Sequence, residues 1–293
     1  MSAPAPTAPL VDAGAACATC GAALQGPFCH RCGEKRLDHH DYHLGHFLEH
    51  AVDTATHFDL KVVRGAWSLL RRPGLMTRDV LAGRRVPWPK PLQLFLVVNL
   101  LFVFAAHQLG LQIFNTPWRY HLGNWYGAWA AARMQQLAAR RGLPVEQLAG
   151  QFDASANVLS KTLIVAFIPL LALLLTVLLW RQRRYFLEHV TTATHLISQV
   201  LLVELVLVGP ISLLIALVNR VRAHPLGFSD RDMLATVLIA LGIAAWAGLL
   251  LRRAYGGGAL TAAARGLAVG IGFFWLLVSV YRLLLFLVTY ALL

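Results

Sequence analysis

The run 92-LQLFLVVNLLFVFAAHQLGLQIF-114 decides the fold class, because it contains no Asp, Glu, Lys or Arg. At ~1.5 Å per helical residue, about twenty residues cross the ~30 Å hydrocarbon core of a bilayer. A buried helix of a water-soluble protein would be shorter and amphipathic. Four further runs have the same apolar character, at 162–180, 190–218, 233–251 and 266–293. The first of these ends on Trp180, where an interfacial aromatic is expected. The chain therefore reads as an all-α polytopic membrane protein of about five transmembrane helices, filling residues 92–293, with a small N-terminal zinc ribbon.

Composition points the same way. Of 293 residues, 57% are hydrophobic and 14% charged, which excludes a disordered chain and argues against an ordinary soluble enzyme. The net charge of +12 raises the question of nucleic acid, but the N-terminal head shows no aromatic platform or basic helix, so nucleic acid is not expected as a partner. A membrane accounts for the charge instead. With the N-terminus inside, 17 Lys and Arg fall on the cytoplasmic side and eight in the outer loops, in agreement with the positive-inside rule. Residues 1–16 are Ala- and Pro-rich, without the basic and apolar regions of a secretory signal, and read as a disordered leader that stays in the cytoplasm. Residues 37–91 read as cytoplasmic amphipathic or interfacial helices. Within them, the Pro- and Gly-punctuated stretch Gly65–Pro91 docks on the bilayer, its arginines meeting anionic headgroups at about 1 kcal/mol each. In the outer loop, Trp125 to Arg141 reads as an interfacial helix with Trp129, Met134 and Leu137 on one side.

All four cysteines lie in one short window, as Cys17-x2-Cys20-Gly21 and Cys29-x2-Cys32-Gly33. Two such knuckles place four thiolates around one ion, and glycine after each second cysteine lets the backbone turn so that amides point at sulfur. Zinc suits four soft thiolates and supplies the folding energy that a segment as short as 17–36 lacks from burial. Two disulfides are the alternative, which a reducing cytoplasm opposes. With four cysteine ligands the coordination is closed, so the zinc is structural and not catalytic.

Seven of the twelve histidines fall in the first 57 residues, and His39, His43, His46, His50, Asp53 and His57 step by four and three along one helical face. A solvated polar face explains them. So does a secondary metal site of His39, His43, His46 and His50. A third reading notes that 46-HFLEH-50 matches the inverted zinc-protease motif, although no third ligand is identifiable.

Inside the apolar runs, ionisable residues are costly unless they meet partners, water or metal. Glu188, Thr192, His195 and Gln199 share a helical face, which makes Glu188, His189 and His195 the catalytic candidates of the membrane region, against a structural reading as a helix–helix interface. Glu204 and Arg282 lie at similar depth and opposite charge, and are expected to form an intramembrane ion pair.

At this point the chain resembles the bacterial membrane family catalogued as domain of unknown function 3667. The likeness rests on three features in order. They are the double CxxCG head, the stretch Leu69-Leu70-Arg71-Arg72-Pro73-Gly74 followed by Gly83-Arg84-Arg85 and Pro91, and Glu188-His189 with His195 downstream of Tyr185. The resemblance implies the architecture of a zinc-ribbon head on multispanning helices in the bacterial inner membrane, with no established activity. The threonine-rich Val190–Thr194 and the histidine stripe depart from the pattern. The function expected is a non-enzymatic inner-membrane scaffold whose ribbon and basic segment recruit an unidentified cytoplasmic protein. The alternative is a transporter or metal-dependent membrane enzyme using Glu188, His189 and His195.

Overall fold

The computed structural model describes residues 15–36, 60–108, 114–221 and 228–293, with the backbone alone for 207–221 and 228–239. Among these, all regular structure is helical, and only two isolated bridges form, both in the head. Four helical stretches are long and apolar enough to cross a membrane: Pro91–Gln108, Val145–Leu178, Phe186–Val206 and Ala259–Leu292. The expected span at 233–251 falls within a further helix, Phe228–Tyr255, whose first turns carry no described side chains. The chain is an integral membrane protein.

Two short helices precede the first span. Helix α1 (Lys61–Arg71) and α2 (Leu75–Leu81) form a hairpin around Arg72-Pro73-Gly74. Proline cannot continue α1, and Gly74 takes a left-handed φ of 81°, where a Cβ would also lie 2.6 Å from the carbonyl oxygen of Leu250. The hairpin packs on the bundle with one side, where Leu69, Met76 and Thr77 are fully buried. Helices α3 (Pro91–Gln108), α7 (Phe167–Leu178) and the hairpin surround α8 (Phe186–Val221), which is the centre of the bundle. Helices α9 (Phe228–Tyr255) and α10 (Ala259–Trp275) make the tightest pair. A Cβ on Gly266 would sit 2.3 Å from the carbonyl oxygen of Ala244, so small residues set the close approach, as is usual where helices pack within lipid.

On the side opposite the head, the chain builds a second core. Helix α6 (Val145–Thr162) continues through a 3₁₀ turn, Leu163–Ala166, into α7, and α10 continues through a π-helical stretch, Leu276–Tyr281, into α11 (Arg282–Leu292). Each of these 34-residue helices is about 51 Å long, some 20 Å more than the hydrocarbon needs. The excess packs with α4 (Trp118–Leu122) and α5 (Gly127–Arg141) around Met134, Leu148, Phe152 and Phe286. This corrects the interfacial reading of residues 125–141. Helix α5 turns Ala130, Met134 and Ala138 into protein, while Trp129 remains half-exposed with its ring 5.6 Å from that of Phe286. At the centre, buried His121 donates from Nε2 to the carbonyl of Thr116 (3.1 Å) and accepts at Nδ1 from the Tyr126 hydroxyl (2.7 Å). Loss of hydration pushes its pKa down to about 4, so it is neutral at pH 7.

Candidate functional site

The head begins with local backbone geometry. Gly21 and Gly33 both adopt left-handed φ, 73° and 75°, and their amides close matching turns onto the carbonyls of Cys17 (2.9 Å) and Cys29 (2.8 Å). Cys17 N bonds Ala22 O, and Cys29 N bonds Glu34 O, so the two knuckles repeat one another at a displacement of twelve residues. Each is closed by one bridge, Ala16 with Ala23 and Phe28 with Lys35. The result brings all four Sγ atoms within 4.8 Å of one another, with Cys17–Cys32 and Cys20–Cys29 at 3.5 Å. A tetrahedron of ~2.3 Å metal–sulfur bonds has edges of about 3.8 Å, so the four sulfurs suit one zinc-sized ion. All four are free thiols, their closest sulfurs well beyond the ~2.05 Å of a disulfide. Burial alone would raise the Cys29 thiol, but the amides of Cys32 and Arg31 and the neighbouring Cys20 and Cys17 hold it down to about 6.

One head residue reaches the bundle. Glu34 is buried, and its Oε2 accepts from Thr19 Oγ1 (2.5 Å), from the amide of Arg85 (2.9 Å) and from the amide of Val86 (3.0 Å). The receiving loop is itself held by Asp79, which pairs with Arg84 (2.6 Å) and Arg78 (2.9 Å) and accepts from Trp88 Nε1 (3.3 Å). These arginines thus have protein partners. Sequence reading missed Glu34. Its signal is the knuckle repeat, in which Glu34 occupies the place of Ala22 and adds a carboxylate the turn does not need.

The membrane candidates come together only in part. Glu188 spends both carboxylate oxygens locally, accepting from Arg184 (2.9 Å) and from the amide of Tyr185 (2.9 Å), the reciprocal bond of a helix N-terminal cap. Thr192 donates to the carbonyl of Glu188 (2.9 Å), so it accepts from the Tyr255 hydroxyl (2.9 Å), and His189 Nδ1 lies 3.3 Å from that same hydroxyl with the rings stacked. His195 faces elsewhere, with Nδ1 3.0 Å from Thr77 Oγ1 in the hairpin, and Gln199 donates to the carbonyl of Leu69 (3.0 Å). Glu188 and His189 therefore bind α8 to its own start and to α9, while His195 and Gln199 bind it to the hairpin. Thr77 and Tyr255 were invisible as partners in the sequence. Among the described residues, His195 Nε2 and Gln199 Oε1 are buried without a hydrogen-bond partner.

The remaining candidates divide. Glu204 and Arg282 line one cavity, yet among the described residues no ion pair joins them. His39, His43, His46 and His50 lie outside the described residues.

Residues 59–103 match the family described as Protein of unknown function (DUF3667). The DUF3667 stretch takes in the α1–α2 hairpin, the loop that receives Glu34 and most of α3, and it supports the family resemblance read from the sequence. It thus contains every group that hydrogen-bonds to His195, Gln199 and Glu34 from the hairpin and its loop. No curated protein and no solved structure matches the chain.

Proposed function

We propose that this is a non-enzymatic inner-membrane recruitment protein, whose N-terminal head holds one structural zinc on Cys17, Cys20, Cys29 and Cys32 in the cytoplasm and presents it to a soluble protein partner. Zinc there would supply folding energy and no chemistry, since four thiolates leave no open position. The observation that carries this reading is the Glu34 contact, a buried carboxylate on two backbone amides, which gives the head a fixed seat instead of a flexible tether. Glu188 accepts from Arg184 and from the Tyr185 amide at its own helix start, the pattern of a structural cap, which argues in the same direction. Helix α1 adds a membrane-surface contact. Its outer side, with Leu60 just before it, exposes Val63 and Trp67 beside Arg64 and Arg71, an arrangement suited to anionic headgroups.

Metal analysis of the full-length purified protein tests the head. One zinc per chain is expected, lost when Cys17 and Cys20 are both replaced by serine, and retained in Glu188→Gln and His195→Ala. Cross-linking from Lys35 should capture one defined protein that disappears with the zinc. Zinc that survives the double serine variant would reject the assignment of these ligands.

The unpartnered Nε2 of His195 favours a second reading, in which His195, with Glu188 and His189, serves transport or membrane catalysis. Under it, Glu188→Gln and His195→Ala abolish a measurable flux or turnover while the protein accumulates normally.

A further inference from the structure

The cavity shared by Glu204 and Arg282 has a volume of about 180 Å³, far more than one water needs, and is walled by Asn115, Phe273, Phe274 and Leu277 among others. Glu204 lies about 27 Å along α8 from Phe186, and Arg282 about 35 Å along the α10–α11 helix from Ala259, which sets both near the far edge of a ~30 Å core. That is headgroup level in the leaflet opposite the head. Among the described residues, the Oε2 of Glu204 is buried and unpartnered. Arg282 follows directly on the π-helical stretch Leu276–Tyr281, a local irregularity that often marks functional positions in helices. The two charges face one space without closing on each other. An anion alone would satisfy Arg282 and strand Glu204, and a cation alone would do the reverse.

We propose that this cavity binds a zwitterionic amphiphile, with its ammonium group on Glu204, its phosphate on Arg282 and its chains in the bilayer along half-exposed Phe274. The volume suits a headgroup, while the chains remain in lipid. The proposal stands whether or not the head holds zinc.

The test uses the full-length protein in mild detergent, with native mass spectrometry after addition of phosphatidylethanolamine, phosphatidylglycerol or soluble O-phosphoethanolamine. Wild type should retain phosphatidylethanolamine over phosphatidylglycerol by roughly tenfold. Glu204→Gln should erase that preference, and Arg282→Gln should weaken both lipids. Leu277→Trp, which fills the cavity and leaves both charges in place, should also weaken both. On wild type alone, delipidated protein should regain thermal stability with phosphatidylethanolamine and not with phosphatidylglycerol. Equal retention of the two lipids by wild type would overturn the proposal, as would competition by O-phosphoethanolamine as strong as that of the whole lipid, which would assign the site to a soluble ligand.

Discussion

Helix α3 and the Phe186–Val206 part of α8 both qualify as membrane spans, but only 33% of the first is buried inside the protein, against 78% of the second. The more apolar helix is the more exposed one. Helix α3 turns Leu96, Leu100, Leu101 and Phe104 outward, whereas α8 buries Glu188, His189, Thr192, Thr194, His195, Ser198 and Gln199. In lipid this inversion is expected. Apolar side chains lose nothing by facing hydrocarbon, and polar ones must find protein partners, so polarity marks the interior of the bundle.

The comparison can be broken most sharply by truncating a core side chain of α8. Leu196→Ala should lower stability by about 2–5 kcal/mol, read as a shifted unfolding midpoint in a denaturing-detergent titration. A smaller loss, about 1–3 kcal/mol, is expected from Gly74→Ala, because the side chain meets both an unfavourable φ and the Leu250 carbonyl. If Gly74→Ala is neutral, the hairpin does not sit against α9 as described. Gln199→Leu removes one hydrogen bond to the Leu69 carbonyl, at a cost of about 1 kcal/mol, with faster amide exchange in α1 as the accompanying sign. Smallest of all is Leu100→Ala on the lipid side of α3, within about 0.5 kcal/mol of wild type. An effect there as large as that of Leu196→Ala would mean that α3 faces protein, such as a second copy of the chain, and would end the contrast.

Legibility followed the distance over which the deciding interaction acts. The cysteine knuckles could be read because ligands, turns and glycines lie within a few residues of each other, and the structure gathers those four sulfurs. The spans could be read because hydrocarbon acts on every residue of a run alike. Residues 125–141 were assigned to the wrong environment for the opposite reason. Ala130, Met134 and Ala138 are too weakly apolar to announce a core, and the residue that completes it, Phe286, lies at the far end of the chain. The face of Glu188, Thr192, His195 and Gln199 was visible from its spacing, yet the spacing does not say that its halves serve different neighbours, Tyr255 in one case and the hairpin in the other.

What the sequence by itself determined is the medium and the local gathering of the cysteines: helices for lipid, and four thiols brought to one point, because both follow from residue type and short-range geometry. Only the tertiary structure decided that α8 is central, that Glu34 seats the head on the Arg85–Val86 amides, and that Glu204 and Arg282 border one cavity without pairing. Those outcomes depend on which distant groups satisfy a buried polar atom, and a buried donor or acceptor constrains only that a partner exist, not where in the chain it comes from.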